Sequence, residues 1–395
     1  MIEWLRRVDP ERPFLWVRDR CWTYGESVFE VEDRITADYL VLGPDLEATS
    51  VFQVIAGLSG GGLTVGGPGG WVGAVPEADL VVFTSGTTGL PKGVRLSKSN
   101  LEAAATASMA HLGHGAEDNW LLAIPLHHVG GLSILVRQAY AGGSVTLQSG
   151  FEPATFAAAM RGRVTMASVV PTMLRRILDH GPFSGLRAVL VGGGPIPHGL
   201  LEEAVQAGLP VLPTYGMTET FGQVATLLPG SPVERKAHPL PGVDIRIEDD
   251  GRIAVRGDQV SPGYLGEPDR LDPWFVTNDL GSIEADGALR VLGRSDNIII
   301  TGGENVSPEQ VEAALRRHPR VGEVCVIGVD DEEWGQRLVG VFAGDIEPAE
   351  LIEWAHGLLP THMVPRSMRR VGEVPMLSIG KPDRRAVTSD FGMYD

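Results

Sequence analysis

The sequence predicts an α/β fold in two parts: a large N-terminal part with mainly parallel α/β sheets plus a small β region, and a small α+β part after residue 294. Three observations carry this. Between about residues 79 and 215, short β-rich apolar runs alternate with amphipathic segments, the signature of βαβ units. From about 240 to 294 the apolar residues alternate singly and are broken by turn dipeptides. Beyond Arg294 a helix-start pattern is followed by one more strand-like run.

In the first stretch the strands read as Leu80-Val81-Val82-Phe83, Leu121-Leu122-Ala123-Ile124, Ala188-Val189-Leu190-Val191 and Pro210-Val211-Leu212, with helices at Leu101 to Met109, Met173 to Asp179 and Leu200 to Ala207. Ligands in such sheets bind at the carboxyl ends of the strands. In the second stretch Val243 to Glu248 and Ile253 to Val255 flank Asp249-Asp250-Gly251, an antiparallel pairing across a turn. In the third, Ser307-Pro308-Glu309-Gln310 caps a helix with Val311 and Leu315 on one face, and Glu323 to Val329 reads as a strand. A boundary near Ser295 divides the chain into 1–294 and 295–395, and with no Pro/Gly/Ser-rich linker there the joint is a short hinge.

A chain of 395 residues exceeds one ordinary hydrophobic core, and 43% hydrophobic with 21% charged residues is the balance of a folded globular enzyme. The formal charge of -17 argues against a nucleic-acid-binding role, so anionic substrates need local positive sites. Cys21 and Cys325, far apart, make neither a disulfide framework nor a four-ligand zinc set, which fits a cytoplasmic setting. There is no secretory leader pattern and no apolar run of about 18 residues, so no membrane span is expected. The histidine pairs His111/His114 and His127/His128 lack further ligands for zinc. A homo-oligomer is compatible with all of this.

Glycine is over-represented, with 51 residues and clusters such as Gly60-Gly61-Gly62, Gly192-Gly193-Gly194 and Gly302-Gly303, which suggests loops where backbone approaches a ligand. The most informative segment is Thr84-Ser85-Gly86-Thr87-Thr88-Gly89-Leu90-Pro91-Lys92-Gly93, directly after a strand. Free backbone N–H groups, hydroxyl donors and the Lys92 charge together suit a polyphosphate. It is not a Walker A loop, because Pro91 stands where glycine should precede the lysine and Gly93 replaces the Ser/Thr that would hold Mg²⁺.

This segment resembles the phosphate loop of the adenylate-forming superfamily of acyl-CoA synthetases, peptide-synthetase adenylation domains and luciferases. The likeness continues in order through Tyr215-Gly216-Met217-Thr218-Glu219, Thr277-Asn278-Asp279-Leu280-Gly281, Gly293-Arg294-Ser295-Asp296, Thr301-Gly302-Gly303-Glu304-Asn305 and Gly380-Lys381-Pro382-Asp383-Arg384. It covers roughly residues 79 to 390 well and the beginning poorly; only 83 residues precede the loop, so a shortened N-terminal region is expected. The resemblance implies that Thr84 to Gly89 and Lys92 hold the ATP phosphates, Tyr215 and Gly216 border the adenine, Thr218 contacts phosphate and Glu219 holds Mg²⁺. It also implies that Asp279 and Arg294 hold the ribose hydroxyls and that Lys381 bridges carboxylate and α-phosphate during adenylation. Singly these residues have bland readings: Asp279 a turn former, Arg294 a surface cation, Glu219 a helix-start acid, Lys381 a solvated lysine. Two departures are Pro382 after the lysine and Asn278 where glycine is common; neither removes a catalytic side chain.

The resemblance further implies a two-step reaction, acyl-AMP formation and then transfer to coenzyme A, with a mobile C-terminal domain. That domain presents Lys381 first and the CoA-tunnel face at Gly302 and Gly303 second, pivoting at Asp296. The acid pocket falls on Pro125 to Ser133, which lacks the Asp that amino-acid-activating relatives carry. His128 matches the histidine that shapes the acyl pocket of acid–CoA ligases, Ser133 follows on the same segment, and the run His128 to Arg137 is most similar to o-succinylbenzoyl-CoA synthetases of menaquinone biosynthesis. Their substrate is a dicarboxylate, and Arg137 is a candidate partner for its second carboxylate, the alternative being a helix-surface arginine. Gly192-Gly193-Gly194 would let backbone approach the aryl group or the adenine, though a plain tight turn explains it as well. A ligase for another aryl or short-chain acid, an adenylating enzyme serving a carrier protein, and a non-catalytic nucleotide-binding protein are the alternatives.

Overall fold

The computed structural model describes residues 1–36, 40–42, 46–65, 78–84, 91–197, 199–234, 236–376 and 382–392. Two sheets and their helices form the larger part. A nine-stranded sheet runs in the order His238–Pro239, Gly222–Thr226, Val211–Met217, Ala188–Val191, Met166–Val169, Asn119–Leu122, Ser144–Leu147, Pro13–Val17, Arg20–Thr23. Its interior pairings, from Val211–Met217 through to Pro13–Val17, are all parallel, and the antiparallel ones lie at its two edges. Strands such as Asn119–Leu122 and Ala188–Val191 are buried at every position, as both-sided cover by helices requires.

The second sheet, of five strands, runs Gly263–Tyr264, Lys92–Leu96, Leu80–Thr84, Leu63–Val65, Leu40–Leu42. The segments before residue 83 therefore build edges of both sheets, a contribution that the weakly matching N-terminal sequence did not announce. One apolar cluster, with Trp120, Leu122, Leu132 and Val136, joins the two sheets, and a second, with Leu121, Phe156, Val189 and Leu200, fills the far face of the larger one.

A four-stranded antiparallel sheet follows: Asp244–Ile247, Arg252–Arg256, Phe275–Ile283 and Leu289–Arg294. Residues from Ile299 onward make a further five-stranded sheet, with Ser367–Arg370 parallel to Gly335–Gly344, and two apolar clusters of their own residues on its faces. Among the described residues no helix is long and apolar enough to cross a membrane.

Element limits shift from expectation by one to a few residues. The strand read at Leu121 to Ile124 is Asn119–Leu122, and that at Pro210 to Leu212 continues to Met217. The continuation is imposed from outside, since Thr214 to Met217 pair with Gly222–Thr226 on the other side. Ser307 is the N-cap of helix Pro308–Leu315 but makes no side-chain cap bond. Its hydroxyl lies 3.2 Å from the Leu292 carbonyl and 2.9 Å from Glu309 Oε2 instead.

Candidate active site

The carboxyl end of strand Val211–Met217 is the point from which the site is built. Val211 and Leu212 are buried, while Tyr215 to Met217 emerge from the core. A side chain at Gly216 would put a Cβ 1.9 Å from the Gly222 carbonyl oxygen, so the pairing with Gly222–Thr226 demands glycine there. A single 3-10 turn, Thr218–Thr220, and Phe221 in the left-handed region at φ 48 reverse the chain and present Glu219 at the turn.

Around this end the motif residues converge. The Tyr215 hydroxyl donates to Asp279 Oδ2 at 2.7 Å, and the Arg294 guanidinium lies 3.3 Å from Asp279 Oδ1. Asp279 and Arg294 are register partners on the strands Phe275–Ile283 and Leu289–Arg294. Arg294 also grips Asp296 through two bonds of 2.7 and 2.6 Å. Burial, then the neighbouring Asp279 carboxylate, pushes the Tyr215 phenol up, so it stays a donor. The Asp296 bonds hold Arg294 above its ordinary value, and Arg294 in turn pulls Asp296 down against the opposing effect of burial.

Glu219 has a second set of neighbours. Its carbonyl accepts from Ser261 N at 2.7 Å and its Oε1 from the Tyr264 hydroxyl at 2.8 Å. Tyr264 pairs with Val94 on strand Lys92–Leu96, and the Lys92 ammonium stands 5.0 Å from its ring centroid. Lys92 itself is the register partner of Thr84. Tyr264 thus touches both the lysine and the carboxylate, and Glu219, Tyr264 and Arg270 line a cleft of about 480 Å³. Ser85, Gly86, Thr87, Thr88, Gly89 and Lys381 lie outside the described residues.

On the acyl side, His128 is the N-cap residue of helix Val129–Ala141, with its ring 4.2 Å from that of His127. Burial, then His127, pushes His128 down to about 4, so it is a neutral imidazole at pH 7. The Ser133 hydroxyl donates back to the Gly130 carbonyl at 3.1 Å. Arg137 is not on the helix surface: it is 4% exposed, and among the described residues it forms no ion pair with a carboxylate and its Nε has no hydrogen-bond partner. Burial draws it down to about 9, which still leaves a cation at neutral pH. A buried cation in that condition costs free energy unless another group compensates its charge.

Gly192 is held by packing, since a Cβ there would lie 2.7 Å from Thr214 Cγ2 and 2.8 Å from the Thr214 carbonyl. That contact brings the Gly192 to Gly194 backbone to the strand end beside Tyr215. Gly302 and Gly303 form the turn between strands Ile299–Thr301 and Glu304–Val306, at positive φ of 58 and 83. Among the described residues no cluster of three or more metal-ligating side chains occurs. Tyr264 carries no sequence motif, and it meets Glu219, 45 residues away, only because the short strand Gly263–Tyr264 pairs with the distant strand Lys92–Leu96.

A parallel strand ending at Tyr215, an antiparallel pair carrying Asp279 and Arg294, and a lysine beside an acidic turn together define a nucleotide-handling enzyme of the AMP-binding class. Residues 75–265 match the family model described as AMP-binding enzyme, and residues 310–381 match the AMP-binding enzyme C-terminal domain. The chain belongs to the AMP-binding enzyme family, and among its curated relatives are 2-succinylbenzoate–CoA ligases. That of Bacillus licheniformis is 39% identical over 322 residues, 76% of this chain and 67% of the relative. That of Bacillus cytotoxicus is 39% identical over 337 residues, 79% of this chain and 70% of the relative. Among solved structures, the o-succinylbenzoate coenzyme A synthetase of Bacillus subtilis in complex with ATP and magnesium ion superposes with a TM-score of 0.85 at 28% identity, covering 98% of this chain and 99% of that one. ATP-bound MatB of Rhodopseudomonas palustris, at 22% identity and a TM-score of 0.88 over 100% of both chains, shares the fold.

Proposed function

We propose that this chain is an ATP-dependent, AMP-forming acid–CoA ligase, that its acid is o-succinylbenzoate, and that it serves menaquinone biosynthesis in the cytoplasm. The observation that carries the choice of acid is Arg137, a buried guanidinium without an anionic partner among the described residues, on the helix that His128 begins. A dicarboxylate offers one carboxylate for reaction and one for such a cation. The named activity of the relatives supports the same choice.

In this reading Lys92 and the segment from Thr84 to Gly89 hold the triphosphate, with Thr218 on a phosphate. Tyr215 and Gly216 border the adenine, as do Gly193 and Gly194, and Asp279 with Arg294 takes the ribose hydroxyls. Glu219, a carboxylate braced by Tyr264, would hold Mg²⁺, which supplies positive charge at the phosphates. His128, Ser133 and Gly192 line the aryl side. The reacting carboxylate oxygen attacks the α-phosphorus and the bond to the β-phosphate breaks, releasing pyrophosphate, with Lys381 offsetting charge in the transition state. The thiolate of CoA then attacks the acyl carbon past Gly302 and Gly303, and the bond to AMP breaks. The segment from residue 295 would swing about Asp296 between the two steps.

The test is pyrophosphate release across a panel of acids, with CoA consumption followed in parallel. o-Succinylbenzoate should drive both at equal rates. Release without CoA consumption would point to a carrier protein as acceptor, and release with another aryl acid alone would overturn the substrate.

A further inference from the structure

Among the described residues Arg137 has no anion beside it, and what stands there is the face of a tryptophan. The guanidinium carbon lies 5.4 Å from the centroid of Trp120, which is 0% exposed. The ring is fixed from two sides. Its Nε1–H donates to the Ser168 hydroxyl at 3.1 Å, and the His114 ring packs edge-on against it at 5.4 Å and 86°.

A buried cation must be compensated or it loses its proton or its place. A carboxylate partner would do this, but it would occupy the N–H fork and cancel the charge that a ligand carboxylate needs. An aromatic face attracts the cation through its quadrupole and takes up none of the fork's hydrogen-bonding capacity. We propose that Trp120 is a positioning residue for Arg137, holding the guanidinium charged and in place while leaving its N–H fork open to the spectator carboxylate of a dicarboxylic acid. Trp120 itself touches no reacting atom. Ser168 and His114 set the plane of its ring, and a neutral histidine at 114, unlike an acid, leaves the guanidinium charge uncancelled. His114 is neutral here, pushed down to about 4 by burial first and by Arg137 second.

The proposal rests on the reading of Arg137 given above, so the experiment separates the two. Dissociation constants are measured for o-succinylbenzoate and for its monoester blocked at the spectator carboxylate, on wild type, Arg137→Ala, Trp120→Phe and Trp120→Leu. Wild type should prefer the diacid, and Arg137→Ala should abolish that preference. If Arg137→Ala leaves the preference intact, the Arg137 reading fails and this inference with it. Trp120→Leu should weaken the diacid about tenfold and the monoester less than twofold, while Trp120→Phe, which keeps a π-face, should stay within about threefold of wild type for both. Equal weakening of diacid and monoester, with Arg137→Ala behaving as expected, would reduce Trp120 to packing and overturn the proposal alone. Because leucine at 120 removes a core ring, ring-fluorinated tryptophans inserted at position 120 provide a series of nearly constant shape. Diacid affinity should fall stepwise with fluorine number and monoester affinity should not; a flat series overturns the proposal.

Discussion

Asp279 and Arg294 face each other across an antiparallel pair, and the aspartate divides its two oxygens between the Tyr215 hydroxyl at 2.7 Å and the Arg294 guanidinium at 3.3 Å. The phenol and the cation orient one carboxylate before any nucleotide arrives. An oriented acceptor suits two vicinal hydroxyls because little side-chain freedom is left to lose on binding. Asp279→Ala should therefore raise the KM for ATP by about tenfold or more, and Tyr215→Phe, which removes one neutral hydrogen bond, by about two- to fivefold. Steady-state kinetics with ATP as the varied substrate decides it, and an unchanged KM in Asp279→Ala would remove the ribose role.

Tyr264 braces Glu219, and its ring carries Lys92 on the other side. Tyr264→Phe keeps the ring and deletes the hydroxyl, so the lysine contact survives while the carboxylate loses a donor. The expected effect is a shift of about two- to fivefold in the Mg²⁺ concentration giving half-maximal pyrophosphate release, with little change in the KM for the acid. A shift confined to the acid would detach Tyr264 from the Mg²⁺ role proposed for Glu219.

Those two clusters differ in how far the sequence announces them. Tyr215, Asp279 and Arg294 sit inside motifs whose residue order is legible, and the fold brings the three side chains into contact. Tyr264 carries no motif of its own and reaches Glu219 only because the short strand Gly263–Tyr264 adds to the edge of Lys92–Leu96. Arg137 was legible as a candidate and ambiguous as to surface or interior, since helix periodicity does not say which neighbours cover a face; the Gly222–Thr226 and Asn119–Leu122 strands cover it. Trp120 reads from sequence as one more buried strand residue, and its contact with a cation is a tertiary fact. The βαβ alternation was plain because burial on both faces leaves nearly unbroken apolar runs. Strand ends were not, because hydrogen bonds from a neighbour extend Val211–Met217 beyond its apolar part.

His114 makes the fold acid-sensitive. Both ring nitrogens are buried without hydrogen-bond partners among the described residues, and burial, then Arg137, pushes the ring down to about 4 from its ordinary 6.5. The unfolded chain takes up this proton below about pH 6.5 while the folded chain resists it until about pH 4. The stability from this site is thus full above pH 6.5 and is lost as pH falls towards 4, on the order of 3 kcal/mol in all. In urea unfolding, the midpoint should drop between pH 8 and pH 5, and His114→Phe, which keeps the edge contact to Trp120, should shrink that drop. An identical drop in the variant would assign the acid sensitivity elsewhere.

Asp296 occupies the short turn Ser295–Asn297 that joins strand Leu289–Arg294 to the C-terminal residues, and its carboxylate is gripped twice by Arg294. If the C-terminal residues swing about this position between the two half-reactions, its backbone angles must change, and proline fixes φ near −65°. Asp296→Pro alters two things at once, because it also releases Arg294, so Asp296→Ala is the necessary control: it loses the ion pair and keeps backbone freedom. The alanine variant should slow both half-reactions modestly, within about fivefold, as expected for a partly exposed pair. The proline variant should be lopsided, with acyl-AMP and pyrophosphate still forming while thioester formation fails. Single-turnover measurements that follow acyl-AMP and acyl-CoA separately distinguish the two patterns. Acyl-CoA produced by Asp296→Pro at the rate of Asp296→Ala would mean that the pivot lies at another residue or that transfer to CoA needs no rotation.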